Sequence, residues 1–129
     1  MPANARTSDR ARVTLAVIRL INGGLGLLVP GFLIRRLGGD PATSATATYA
    51  LRMFGVRTVI LGVDLLRPDG PVRDHAVETA PIVHASDTVA AALLGIRGKV
   101  PRRAAIMTVA ISACNTVLAL IARSGPRSR

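Results

Sequence analysis

Four long apolar stretches, separated by short polar connectors, dominate the sequence. A helix of about 20 apolar residues is long enough to cross the hydrocarbon core of a bilayer. The last stretch shows the pattern best, because 19 uncharged residues separate Arg103 from Arg123. The pattern predicts an all-α protein, an up-down-up-down transmembrane bundle of four helices with short connecting loops. The predicted helices cover residues 13–36, 45–66, 73–96 and 101–122.

The connectors consist of residues that form turns or end helices. Their sequences are GGDPATS at residues 38–44, RPDGP at 67–71 and RGKVP at 97–101. Pro30 and Gly31 are expected to kink or end the first helix, whereas Pro81 is tolerated inside a membrane helix. The polar segments 1–10 and 124–129 are predicted to be flexible tails on either side of a single bundle.

Composition and charge agree with a membrane location. Half of the residues are apolar and the mean hydropathy is +0.42, although 19% of the residues are charged. Aromatic residues make up only 2%, which suits a bundle that packs on Ala, Gly, Leu and Val. The net charge of +10 comes mainly from arginines in the connectors and tails. Such basic flanks favour contact with a lipid bilayer, and without aromatic platforms they do not predict nucleic-acid binding.

The distribution of basic residues between the two ends of the bundle predicts its orientation. Eight Lys and Arg side chains fall on the side of the termini and six on the opposite side. The positive-inside rule therefore places both termini in the cytoplasm of a multi-pass protein of the cell membrane. The single cysteine, Cys114, excludes an internal disulfide and a cysteine-based zinc site. No cofactor is predicted.

Ionisable side chains inside the apolar stretches are the candidates for a functional polar cluster. An ionised residue at the middle of a bilayer costs about 2.5 to 3.5 kcal/mol on insertion scales, so these side chains must face protein or water. A stripe of small and polar residues on the fourth helix would face the same interior. The candidates are Arg19, Arg52, Arg57, Asp64, Glu78, His84, Asp87 and Asn115.

Depth, counted from the helix ends, predicts how these charges pair. Arg19 is expected to pair with Asp64 or Glu78, and Asp87 with one of the two arginines of the second helix. In one interpretation these pairs only fix helix order and register. In the other, His84 and Asp87 face Arg52 and Arg57 and line a cavity for a proton or a small anion. A metal site is not favoured, because nearby arginines repel cations.

Two short motifs carry a resemblance to a known family. They are LRMFGVR at residues 51–57, continued to Gly62, and HASD at residues 84–87. Together they resemble a family of small bacterial membrane proteins of unknown function, frequent in actinobacteria and predicted to have four spans. Relatives often carry an acid after the second arginine, where this chain has Thr58. The resemblance implies location and architecture, and it implies no activity.

Three function classes follow from these features. The leading prediction is a non-enzymatic integral membrane protein with a structural, accessory or partner-binding role, through other membrane proteins or through a homo-oligomer. The alternative is a minimal transporter or proton-relay protein that uses the intramembrane Arg, His and Asp cluster. A redox-linked membrane enzyme is the second alternative. No catalytic residue and no metal ligand is assigned.

Overall fold

Five α-helices form the protein in the computed structural model, which describes residues 3–126. Within that range there is no β-strand, so the predicted all-α class is confirmed. We call the end of the bundle where the first helix starts the near end, and the opposite end the far end. The helices are α1 (Ala3–Leu28), α2 (Pro30–Arg36), α3 (Ala45–Leu66), α4 (Pro71–Ile96) and α5 (Arg102–Arg123).

The first helix differs from its prediction at the N-terminal side. α1 begins at Ala3, so residues 3–10, predicted to be a flexible tail, are helical. This segment is rich in Ala and Arg, which are good helix formers. It also packs: Ala5 and Ser8 are buried, and the backbone of Gly125 approaches Ser8. Of the predicted tails, residues 1–2 and 127–129 lie outside the described residues.

The break between α1 and α2 lies at Val29 and Pro30. Val29 leaves the helical conformation, with φ −133° and ψ 55°, and Pro30 is the first residue of α2. Proline lacks a backbone N–H and its ring clashes with the preceding turn, so a continuous helix is interrupted there. The predicted kink or end at Pro30 and Gly31 falls at this break, whereas the prediction of one helix over residues 13–36 was wrong. The result is a separate seven-residue helix at the far end.

The four long helices of the bundle make three close contacts and one loose one. α1 packs along both α3 and α5, and α4 packs along α5, whereas α3 and α4 touch much less. α1 and α3 approach so closely that a Cβ at Gly55 would lie 2.5 Å from the Leu27 nitrogen. Glycine allows this backbone contact because it has no side chain, as in membrane helix pairs. The loose contact leaves space between α3 and α4.

Small residues fill the interior and large apolar residues cover the outside. The buried cluster consists mainly of alanines, with Leu15 and Leu65 as its largest members. Large side chains such as Ile82 and Ile96 are 70% and 82% exposed. A soluble protein rarely exposes apolar surface on this scale, whereas a bilayer solvates it. We define the central core as Leu15, Ala16, Leu65, Ala76, Ala80 and Ala119.

Three helices, α1, α4 and α5, are long and apolar enough to cross a membrane. α3 is equally long, but Arg52, Arg57 and Asp64 interrupt its apolar residues. These findings indicate a membrane protein of helical architecture.

Candidate functional site

A cavity of about 620 Å³ occupies the far half of the bundle. All five helices contribute to its wall, which is mainly apolar and includes Leu25, Leu51 and Leu94. At the far end, the exposed side chains of Phe32 and Arg36 on α2 form part of its rim. The cavity volume lies within the range of about 300 to 1,000 Å³ typical of small-molecule sites.

An ion pair between two helices forms the inner end of the cavity. The Nη1 atom of Arg19 on α1 lies 3.5 Å from the Oδ2 atom of Asp87 on α4. Arg19 is only 5% exposed, whereas the Asp87 side chain is 36% exposed. The guanidinium carbon of Arg19 also lies 5.9 Å from the centre of the Phe54 ring on α3, a cation–π distance. The pair therefore joins three helices, and Asp87 is its accessible member.

Several polar atoms around this pair are buried and have no hydrogen-bond partner among residues 3–126. They are Nε of Arg19, both ring nitrogens of His84 and Oδ1 of Asn115. His84 is fully buried, and its Nδ1 atom lies 4.0 Å from Oδ2 of Asp87. Buried polar atoms are normally hydrogen-bonded, and an unsatisfied one costs about 1–3 kcal/mol. The layer of Arg19, His84, Asp87 and Asn115, which we call the polar layer, thus has unused hydrogen-bonding capacity.

A smaller and more polar cavity lies at the near end. Its volume is about 280 Å³, and its wall includes Glu78 and four charged residues that form two ion pairs. These pairs are Asp9 with Arg12, and Asp69 with Arg73. Arg12 also donates a hydrogen bond to the carbonyl oxygen of Leu65, which ties the start of α1 to the end of α3.

The central core separates the two cavities. On α1, Leu15 lies between Arg12 of the near cavity and Arg19 of the far cavity. Ala80 on α4 and Ala119 on α5 occupy the corresponding positions in their helices. Both alanines and Leu15 are at most 1% exposed. Three members of the polar layer, Arg19, Asp87 and Asn115, therefore line the far cavity and not the near cavity.

The predicted partner of Arg19 was wrong. Arg19 pairs with Asp87 and with neither Asp64 nor Glu78. The depth count started α1 at Val13, whereas the helix starts at Ala3, which places Arg19 near the middle of a 26-residue helix. Asp64 instead forms an ion pair with Arg67 at the end of α3, with 3.0 Å between Oδ1 and Nε.

The second predicted pairing, of Arg52 or Arg57 with Asp87, was also wrong. Both arginines are exposed on α3, and neither forms an ion pair with any residue in the described part of the chain. Glu78 is exposed and lies in the near cavity. The structure thus brings together four of the predicted residues, namely Arg19, His84, Asp87 and Asn115. In the described part of the chain, no ion pair joins them to the other four, Arg52, Arg57, Asp64 and Glu78.

Sequence reasoning missed two contributors to the site. Phe54 stacks against Arg19. Its position within the motif at residues 51–57 could have marked it as a candidate site residue. Helix α2 forms part of the cavity rim, which was hidden because the first helix was predicted to continue to residue 36. Among residues 3–126, no group of three or more His, Cys, Asp or Glu side chains is arranged to hold a metal ion.

The fold and the site define a class: a helical protein with a lipid-compatible surface and a polar layer at the inner end of a cavity. No protein-family model matches the chain, and no curated protein and no solved structure matches it.

Proposed function

We propose that the chain is a four-span integral membrane protein of the cell membrane, with both termini in the cytoplasm. α1, α4 and α5 are apolar enough to span alone. α3 is supported by its neighbours, because Gly55, Thr58, Gly62 and Leu65 are buried along its inner side. Close packing of this inner side against α1 offsets part of the cost that the charged residues add to the insertion of α3. The four-span family that the sequence motifs resemble has the same expected architecture.

Membrane extraction tests this location. We expect a C-terminally tagged chain to stay in the membrane pellet after washing with alkaline carbonate, because the exposed apolar surface needs lipid. Detergent is expected to release it. A peripheral protein expressed in the same cells provides the control, since carbonate removes it. Release of the tagged chain by carbonate alone would contradict an integral location.

Within the membrane, we propose a non-enzymatic binding role for the far cavity. Its apolar wall suits a small, mainly apolar molecule, and its inner end offers Arg19, Asp87 and Asn115 to one polar group of that molecule. The observation that carries this proposal is the 620 Å³ volume that ends on the ion pair of the buried Arg19 with the partly exposed Asp87. Apolar pockets with a few convergent polar groups are the usual form of ligand sites, including those between helices of bundles.

A second candidate function is favoured by one specific arrangement. His84 is buried beside Asp87, and Asp87 is accessible from the far cavity. A histidine next to a carboxylate is a common unit of proton transfer. A proton relay across the membrane would also require an opening through the central core, which separates this unit from the near cavity. A minimal transporter of a small solute would require the same opening.

Cysteine accessibility tests the cavity. We start from a Cys114→Ala background and compare Ser112→Cys, on the cavity wall, with Ala110→Cys, on the exposed side of α5. We expect a membrane-impermeant thiosulfonate to label Ser112→Cys roughly tenfold faster than Ala110→Cys, because only a hydrated thiol forms the reactive thiolate. Labelling should occur from the side opposite the termini only.

The same labelling reports occupancy of the cavity. 1-Hexanol, with an apolar body and a single hydroxyl group, serves as the first probe and is expected to slow labelling of Ser112→Cys. Ala91→Phe, which adds bulk to the cavity wall, is expected to slow it without any probe. Equal labelling of Ser112→Cys and Ala110→Cys would contradict a hydrated cavity. Labelling that 1-hexanol and Ala91→Phe leave unchanged would contradict the binding role.

A further inference from the structure

One face of α3 is not covered by the rest of the bundle. Five large side chains point outward from it with helical spacing of four and three residues, and each is 43% to 66% exposed. Arg52 and Arg57, both exposed, lie on either flank of this apolar stripe. We call these seven residues the α3 outer face: Tyr49, Arg52, Met53, Val56, Arg57, Ile60 and Val63.

The two arginines make this face unlike the rest of the outer surface. Within residues 3–126, neither arginine has an ion-pair or hydrogen-bond partner. Arg57 lies nine residues from the end of α3 at Leu66 and twelve from its start at Ala45. At 1.5 Å per residue, these separations are roughly 14 Å and 18 Å. Both exceed the length of an arginine side chain, so lipid phosphates at the membrane surfaces lie out of direct reach.

An unpaired arginine at this depth is costly. Insertion scales assign about 2.5 to 3.5 kcal/mol to an arginine at the centre of a membrane helix. Intramembrane cations therefore almost always face the bundle interior or a water-filled cavity and pair with carboxylates or backbone carbonyls. The buried Arg19 follows this rule by pairing with Asp87, whereas the exposed Arg57 has no such partner among residues 3–126.

We propose that the α3 outer face binds a membrane-spanning helix of another protein, and that this helix carries an acidic side chain at the level of Arg57. The apolar stripe would pack against the partner helix, and the arginines on its flanks would pair with the partner's carboxylate. Complementary charge provides specificity, because a helix without an acid would leave Arg57 unpaired.

A second copy of the chain does not supply this carboxylate. Of the seven acidic residues, only Asp87 lies at middle depth, and it is paired with Arg19 in the interior. Glu78 is the next deepest, but it lines the near cavity together with Arg12, Arg73 and Arg123. The remaining acids lie in loops or near helix ends. They are Asp9, Asp40, Asp64, Asp69 and Asp74.

Synthetic transmembrane helices provide the test. Two peptides of 20 Leu and Ala residues, one with a central Asp and the other with a central Asn, are mixed with the full chain in phosphatidylcholine vesicles. Energy transfer between dyes on the peptide and on the C-terminus of the chain measures association. We expect the Asp peptide to associate roughly tenfold more tightly than the Asn peptide. Arg57→Gln is expected to abolish this difference, and Arg57→Lys to retain part of it.

The control variant is Arg97→Gln, which removes a positive charge from the exposed turn after α4 and should leave the preference for Asp unchanged. Circular dichroism checks that each variant remains helical. Equal association of the two peptides, or a preference for Asp that survives Arg57→Gln, would overturn the proposal. Self-association that depends on Arg57 would overturn it in favour of a second copy of the chain.

Changing the lipid composition of the vesicles shows whether Arg57 binds a partner helix or an anionic lipid. A preference for Asp that disappears when phosphatidylglycerol is added would assign Arg57 to a lipid phosphate and overturn the proposal. The inference rests on the proposed membrane span of α3 and is independent of what the far cavity binds. Carbonate release would contradict the proposed location itself, whereas failure of the peptide test with the chain still in the membrane would affect only the α3 outer face.

Discussion

Replacing Asp87 with Ala is expected to lower the free energy of unfolding by about 3 kcal/mol. The change leaves the guanidinium of Arg19, which is 5% exposed, in the interior without its counter-ion. Breaking buried ion pairs costs about 3–5 kcal/mol, and the partial exposure of Asp87 places this pair at the lower end. Reversible unfolding in mixed detergent micelles, followed by circular dichroism, measures the loss.

Two variants distinguish a buried charge from a simple loss of contacts. Asp64→Ala removes the ion pair with Arg67, which is 55% exposed, and is expected to cost less than about 1 kcal/mol. The double variant Arg19→Met with Asp87→Leu removes both charges and is expected to recover most of the stability lost in Asp87→Ala. Equal losses of unfolding free energy in Asp87→Ala and Asp64→Ala would contradict burial of the Arg19 charge.

Replacing Gly55 with Ala is expected to lower the free energy of unfolding by about 2–3 kcal/mol. A Cβ at this position would lie 2.5 Å from the Leu27 nitrogen and 2.7 Å from the Gly23 oxygen. Both are backbone atoms of α1, so neither can move away as a flexible side chain would. The two helices must separate, and the same micelle unfolding measurement reports the cost.

Gly24 provides a matched control in the facing helix. A Cβ at Gly24 meets no atom within 4 Å, although Gly23, its neighbour, lies in the contact with α3. Gly24→Ala is therefore expected to be neutral or to stabilise the protein by up to about 1 kcal/mol, because Ala favours the helix. A comparable loss of stability in both variants would contradict close packing of α1 and α3 at Gly55.

The boundaries of three helices could be predicted from the sequence. α3 begins and ends where predicted, and α4 and α5 differ from their predictions by at most two residues. Proline and glycine in the connectors end the helices through local backbone preferences. These helix ends can therefore be predicted without knowing how the helices pack. The start of α1 could not be found in this way. Its first ten residues include no large apolar side chain, and their position depends on packing against the end of α5.

The composition of the polar layer was predicted in part, and its pairing was not. Arg19, His84, Asp87 and Asn115 were recognised as costly residues in apolar helices, which is a local property. Their pairing depends on relative depth, and an error of ten residues in the start of α1 moved Arg19 to the wrong level. The far cavity depends on the sparse contact between α3 and α4, which sets no sequence pattern, and on the position that α2 takes after the break at Pro30.

The extensive contact between α1 and α3 also has a consequence for biogenesis. A nascent chain emerges from the ribosome N-terminal end first, so α1 is available in the bilayer before α3 is synthesised. On the proposed topology, α3 enters beside a helix that already presents Gly23 and Gly26 to it. The long helix whose apolar residues are interrupted by Arg52, Arg57 and Asp64 is thus delivered as the second arm of a helical hairpin. Deleting α1 should leave α3 outside the bilayer, while α4 and α5 still insert as a pair.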